Sequence, residues 1–215
     1  MLKYDENILF LDKPYGWTSN YTLNKIKKII KKKKYGYIGT LDPLATGMIP
    51  IIFDNGTKYF QYILNLPKKY NVIARLGKFT KTYDSESKIN IYTNKINFNI
   101  NFILNKINLF KGKILQKPPI YSSIKINGIR LYNYARSNIK CIIKSRYVKI
   151  YIINIISLKN EFLELEITCS KGTYIRSLVN DIGISLGCMA YVYSLRRLSI
   201  GNFNKMITIS QLINI

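Results

Sequence analysis

"YGYIGTLDPLATGMIPI" (35–51) holds one carboxylate, Asp42, in a stretch with no other charge, although the chain carries 34 bases against 11 acids. Gly39 before it and Pro43 and Gly47 after it make a stiff loop, and that loop runs straight into the apolar segment 47–53, a buried strand by its composition. Two uses of the acid fit. An Asp-Pro step initiates turns, and a loop held on a rigid scaffold is also where reactive groups are placed. The stretch alone leaves both open.

Outward from the loop, Ile8–Leu11 forms a short strand, followed by a Pro/Gly turn and a helix cap at Thr18 or Ser19. Tyr21, Leu23, Ile26, Ile29 and Ile30 recur near helical spacing up to about Lys31, and 55–64 reads as a helix after the buried strand. Residues 69–77 alternate as a strand and 81–87 form a polar loop. The stretch 99–110 is helical, with Ile100, Ile103, Leu104 and Ile107 on one side. Asn127-Gly128 is a strong hairpin signal, and two β-rich runs between 139 and 169 flank a turn at 158–160. A helix over 173–187 closes on Gly187, and 190–203 reads as a final strand pair. Strands and short helices intermix without regular alternation, which predicts an α+β fold with a mixed, largely antiparallel central sheet flanked by helices. No repeat or linker interrupts the 215 residues, so a single domain over 1–215 is expected, with the Asn/Ile-rich 88–110 as a candidate flexible insertion.

A formal charge of +23 attracts polyanions, and nucleic acid is the first partner it implies. Abundant Ile, Asn and Tyr beside the lysines also fit A/T-rich codon usage, so part of the charge is explained without a partner. The run Lys31–Lys34 is either a solvated helix end or a phosphate contact. Three scattered cysteines argue against a disulfide framework or a zinc site. No apolar run approaches the roughly 20 residues needed to cross a bilayer, and no signal peptide is evident. A cytoplasmic protein without membrane or metal is expected.

The chain has no histidine, which excludes Ser-His-Asp, Cys-His and HExxH chemistry. A base or nucleophile must come from the acids, Cys, Tyr, Lys, Ser or Thr. Glu161, Glu164 and Glu166 on a hairpin and Asp181 on a helix take structural roles. A carboxylate nucleophile must be kept ionised, and an arginine suits that task. Only seven arginines stand among the bases, so each retained one points to a need for its planar fork. "CSKGTYIRSL" (169–178) sets Arg176 just after a glycine turn, beside Tyr174, with a plain surface arginine as the equal alternative.

"KPYGWTS" (13–19), the opening stretch (35–51), "KKYNVIARLG" (68–77), "QKPPIYSSIKINGIRLYNYAR" (116–136), "CSKGTYIRSLVNDIGISLG" (169–187) and "LRRLSIGNF" (195–203) resemble, in order, the motifs of the TruB-type tRNA pseudouridine synthases. They cover nearly the whole chain. The resemblance implies the pseudouridine synthase catalytic fold, in a short form without a C-terminal PUA-like domain. It further implies a monomer that isomerises uridine 55 in the T-stem-loop of tRNA by base flipping, with no cofactor and no metal. By the same match Asp42 is the catalytic aspartate, Tyr70 the active-site tyrosine, Arg176 the arginine that pairs with the nucleophile, and Tyr174 and Leu195 line the uracil pocket. Lys125, Arg130 and Arg136 around the hairpin are candidate phosphate contacts, solvated surface being the alternative.

Besides lacking the family's common C-terminal RNA-binding extension, the chain departs from the pattern at two places. Tyr37 stands where the family usually has histidine, so a role needing imidazole is lost there. Lys81 replaces one acid of the loop that retains Asp84, which alters the expected base-flipping contacts. Two rival readings remain: a chaperone that binds the T-loop without catalysis, and a metal-dependent nuclease using Asp42, Asp54 and Asp84.

Overall fold

The computed structural model describes residues 7–214. In chain order the elements are β1 (Ile8–Lys13), α1 (Ser19–Ile29), β2 (Tyr35–Tyr37), β3 (Thr46–Phe53), a 3₁₀ segment (Asp54–Tyr59), α2 (Phe60–Asn65), β4 (Lys68–Leu76), β5 (Lys78–Phe79) and β6 (Asn90–Ile91). There follow α3 (Ile100–Asn108), β7 (Gly112–Gln116), β8 (Lys125–Ile126), β9 (Ile129–Arg130), α4 (Leu131–Arg136), β10 (Arg146–Lys159), β11 (Phe162–Cys169), α5 (Ile175–Ser185), β12 (Ala190–Ile200) and α6 (Ile209–Ile213). The chain forms two compact units, one running up to Asn71 and resuming at Leu195, the other Val72–Ser194. Strands β4 and β12 each carry residues of both. Among the described residues no helix is long and apolar enough to cross a membrane.

The first unit is built on β3, whose residues from Gly47 to Phe53 are all buried. It is apolar on both faces because it is covered on both. Antiparallel β1 runs beside it from Ile8↔Ile52 to Lys13↔Gly47, and β2 pairs from Tyr35↔Phe53 to Tyr37↔Ile51. The end of β12 adds a parallel pairing, Arg196↔Thr46 and Arg197↔Gly47, so the sheet is mixed. Thr18 caps α1 by accepting from the Tyr21 amide at 3.0 Å, which takes up one of the orphan donors of the first turn. Ile38, Met48, Ile52, Ile63 and Ile200 form a core against which Phe10, Phe60 and Leu66 pack.

The second unit rests on the β10–β11 hairpin, closed at Asn160–Glu161, with Asn160 in the left-handed region at φ 51°. Strand β7 pairs antiparallel with the other edge of β10. Leu163, Leu165 and Ile167 of β11 alternate inward, as do Val148 and Ile150 of β10, and α3 packs against β10 and α5. Glu161 at the hairpin tip bonds Arg75 at 3.1 Å and Lys78 at 3.3 Å, a structural role, as expected. The Asn127-Gly128 hairpin forms with both residues at positive φ, 50° and 79°.

Three expectations are corrected. The helix over 55–64 begins as a 3₁₀ segment and turns α-helical only at Phe60. Gly56 and Thr57 are weak helix formers, and a Cβ on Gly56 would stand 2.2 Å from the Asn7 carbonyl, so close backbone approach sets the local path. The final strand pair is a single strand, since only the bridge Ile200↔Phe203 follows it; Ile207 leaves to pair with Leu11 of β1. In α3 only Ile103 and Ile107 are buried, while Ile100 and Leu104 stay exposed. A nine-residue helix presents one i, i+4 stripe to its neighbours, and the second stripe faces water.

Helix α5 and the start of β12 approach backbone to backbone at Gly183, where a Cβ would lie 2.3 Å from the Ala190 nitrogen. Gly183→Ala should therefore lower stability by about 1–3 kcal/mol, the usual cost of overpacking, read as a lower urea midpoint at unchanged slope.

Candidate active site

Asp42 sits half-buried in the loop between β2 and β3, and the backbone around it is held almost residue by residue. Ser19, buried at the start of α1, donates to the Leu41 carbonyl at 3.0 Å and accepts from the Leu41 amide at 2.9 Å. Lys13, wholly buried at the end of β1, donates to the carbonyls of Pro14 (2.9 Å), Trp17 (2.6 Å) and Pro43 (3.1 Å). The Gly16 amide reaches the same Pro43 carbonyl at 2.9 Å. Arg197 of β12, also buried, donates from Nη2 to Gly39 O at 2.9 Å and from Nε to Met48 O at 2.6 Å, so it ties the two ends of the loop together. Gly47 makes this approach possible. It has φ 98°, and a Cβ there would stand 2.2 Å from the Arg197 carbonyl.

These donors set the electrostatics around the acid. Burial pushes the Lys13 ammonium down to about 8; the Asp42 charge works against that shift and the Arg197 cation adds to it. Two buried cations, Lys13 and Arg197, thus flank the loop that carries Asp42. Of the other candidates in this unit, Tyr37 is half-buried on β2, and Tyr70 on β4 and Leu195 on β12 are buried.

In the second unit Arg176 is buried in the first turn of α5 and donates to the carbonyls of Thr82 and Tyr121, each at 2.9 Å. Its Nη1 lies 3.5 Å from Asp84 Oδ2. Asp84 is buried as well; its Oδ1 accepts from the Thr82 hydroxyl at 2.5 Å and the Glu86 amide at 3.0 Å. The polar 81–87 loop is therefore wrapped around its own acid and joined to α5 through an arginine. Tyr174 caps α5, with its backbone clasped by the Gln116 amide at 2.8 and 3.1 Å and the Arg146 guanidinium 5.1 Å above its ring. Lys125 and Arg130 are exposed and face each other across the β8–β9 hairpin, while Arg130 and Arg136 both approach the Tyr132 ring. The geometry thus joins Arg176 to Asp84 but leaves Lys125 and Arg130 on open surface.

Lys13, Ser19, Arg197 and Gln116 were not among the residues expected from the sequence. For Lys13 a signal was present, since it continues the inward alternation of Leu9 and Leu11 and so puts a charge on the core face of a strand. Among the described residues no cluster of three or more His, Cys, Asp or Glu side chains is arranged to hold a metal.

Residues 27–175 match the N-terminal domain of the TruB family pseudouridylate synthases, and residues 176–215 match the tRNA pseudouridylate synthase B C-terminal domain. The chain belongs to the TruB family. It is 48% identical over 196 residues to the tRNA pseudouridine synthase B of Blochmanniella floridana, covering 91% of this chain and 76% of that protein. Against the enzyme of the same name from Buchnera aphidicola subsp. Baizongia pistaciae it is 49% identical, covering 92% and 66%. It thus spans about two-thirds to three-quarters of the length of these relatives. Among solved structures, a Cbf5-Nop10-Gar1 complex superposes with TM-score 0.76 at 28% identity, over 97% of this chain and 54% of that one. An H/ACA RNP bound to a substrate RNA containing 2'-deoxyuridine gives TM-score 0.73 at 26% identity, over 97% and 52%. The α+β class with a mixed sheet is that of this family.

Lys13→Met removes the donor from three carbonyls and should cost about 1–3 kcal/mol in urea unfolding at neutral pH. An unfolded lysine titrates at 10.5 and the folded Lys13 near 8, so between these values the unfolded chain holds a proton that the folded chain has lost. Stability gains from Lys13 as pH rises through that window, and the gap between wild type and Lys13→Met should widen from pH 8 to 10. A constant gap would show that the buried amine does not titrate there.

Proposed function

We propose that this protein is a tRNA pseudouridine synthase acting on uridine 55 of the T-loop, with Asp42 as the nucleophile. The observation that carries the reading is the clamped Asp42 loop in a member of the TruB family. A carboxylate that must attack a sugar or base needs a fixed approach, and fixed position is worth several kcal/mol of barrier in reactions of this kind. The reaction is an isomerisation: the bond from the ribose to N1 of uracil breaks, a bond to C5 forms, the C5 proton leaves and N1 gains one. Atoms and electrons balance without a redox partner. Tyr70 is the candidate to stack on the base and remove the C5 proton, and Tyr174 and Leu195 to line the base pocket. Arg176 is the candidate for the cation that the family pattern pairs with the nucleophile; within its own unit Asp84 and the carbonyls of Thr82 and Tyr121 fix its plane.

The target uridine lies in a folded loop and must be everted, at a cost of a few kcal/mol that stacking partly returns. Phosphate contacts from the basic surface position the RNA without choosing the base. The relatives' shared name and the substrate RNA in one structural neighbour support the substrate class.

Asp42→Asn keeps the shape of the loop and removes the nucleophile. It should reduce pseudouridine formation in a tRNA transcript by ~10³-fold or more while the dissociation constant for that transcript stays within about threefold. Full turnover by this variant would refute the assignment. Binding should also be steeply salt-dependent: with six to ten phosphate contacts, affinity falls by about 10³–10⁵ between roughly 50 and 200 mM salt, measured by fluorescence anisotropy.

A further inference from the structure

The outward face of the β7–β10 pair carries an arrangement that folding alone does not favour. Lys113 and Lys149 stand directly opposite each other across the ladder, and Tyr147 stands opposite Leu115. All four are exposed, as is Tyr151, the next residue of β10 on this face. Like charges directly opposed on one face of a sheet destabilise it. Each lysine is turned onto a tyrosine: Lys113 Nζ lies 4.2 Å from the Tyr147 ring centroid and Lys149 Nζ 5.3 Å from that of Tyr151. The nearest acids of the hairpin, Glu164 and Glu166, pair with Ser157 and Asn154, in the other half of β10.

We propose that this face is a contact surface for RNA, at which Lys113 and Lys149 share a backbone phosphate and Tyr147 and Tyr151 offer their rings to the adjoining nucleotides. An anion between the two ammonium groups turns their repulsion into a bidentate clamp, and rings beside a phosphate contact are the recurring pattern of sequence-tolerant RNA binding. An apolar protein partner fits less well, because lysine is depleted from the desolvated centres of protein interfaces, and here two of them sit at the centre of the row. The inference rests on the reading of RNA as the substrate and adds a place where it is gripped.

The test compares wild type, K113A/K149A, Y147A/Y151A and a control pair of equal charge change, K88A/K95A, whose lysines are exposed elsewhere in the same unit. Each is measured for affinity to an unmodified tRNA transcript by anisotropy at several salt concentrations, and for pseudouridine formation. K113A/K149A should weaken binding about tenfold and reduce the salt slope by about 1, the loss of one phosphate contact, with kcat at saturating tRNA unchanged and KM raised. Y147A/Y151A should weaken binding with little change of slope, and K113R/K149R should retain affinity. Unchanged affinity in K113A/K149A overturns the proposal and leaves the face to another partner. An equal loss in K88A/K95A overturns it too, since it shows a diffuse charge effect. Because binding is read apart from product, a wild-type protein without turnover whose RNA affinity still depends on this pair would sink the proposed function and leave the face standing.

Discussion

The loop that carries Asp42 is not a regular element, so its backbone groups need partners from elsewhere. Here three side chains supply them. Ser19 takes both groups of Leu41, Lys13 the carbonyl of Pro43, and Arg197 the carbonyls of Gly39 and Met48. Two of the three are buried cations, which are costly to desolvate. Their cost is partly offset by several charge-assisted bonds to carbonyls and, for Lys13, by the charge of Asp42, although burial still wins there and lowers the ammonium's pKa. The clamp and the electrostatic setting of the acid are thus one arrangement, and the glycines at 39 and 47 are small because Arg197 passes against them.

The use of basic residues follows the same physics. Most lysines are solvated, as a compact, strongly hydrated charge on a flexible stem should be. Among the described residues Lys13 and Lys68 are the buried exceptions, and each is ringed by backbone carbonyls; Lys68 closes the end of α2 on Leu64 and Leu66. Three of the arginines are placed where a planar fork matters. Arg196 holds Asp12 through both nitrogens at 3.0 and 2.6 Å, Arg176 joins two loops to α5, and Arg197 spans the Asp42 loop. At these three positions several acceptors are met in fixed directions, whereas Arg130 and Arg136 stand exposed beside the Tyr132 ring.

Much of this was legible from local pattern. The buried strand over 47–53, the Asn-Gly hairpin, the inward alternation of β4 and β11 and the glycine-closed α5 all rest on interactions between residues near in sequence, which periodicity and turn chemistry report directly. The single strand at 190–200, the 3₁₀ start at Asp54 and the exposed stripe of α3 were not legible. Each depends on what another segment does: Ile207 leaving to pair with β1, the Asn7 backbone crowding Gly56, the neighbours of α3 receiving only one stripe.

The same division holds at the candidate site. By itself the sequence determined that no imidazole chemistry is available, that Asp42 lies in a rigid glycine-bounded loop, and that the chain resembles one family along nearly its whole length. Only the tertiary structure decided which side chains hold that loop and which acid Arg176 meets in its own unit. Arg197 and Gly39 are 158 residues apart, and Lys13 and Pro43 are 30 apart. Hydrogen bonds over such separations have no period and no local signature, because the directions of the donors are set by packing of the strands that carry them.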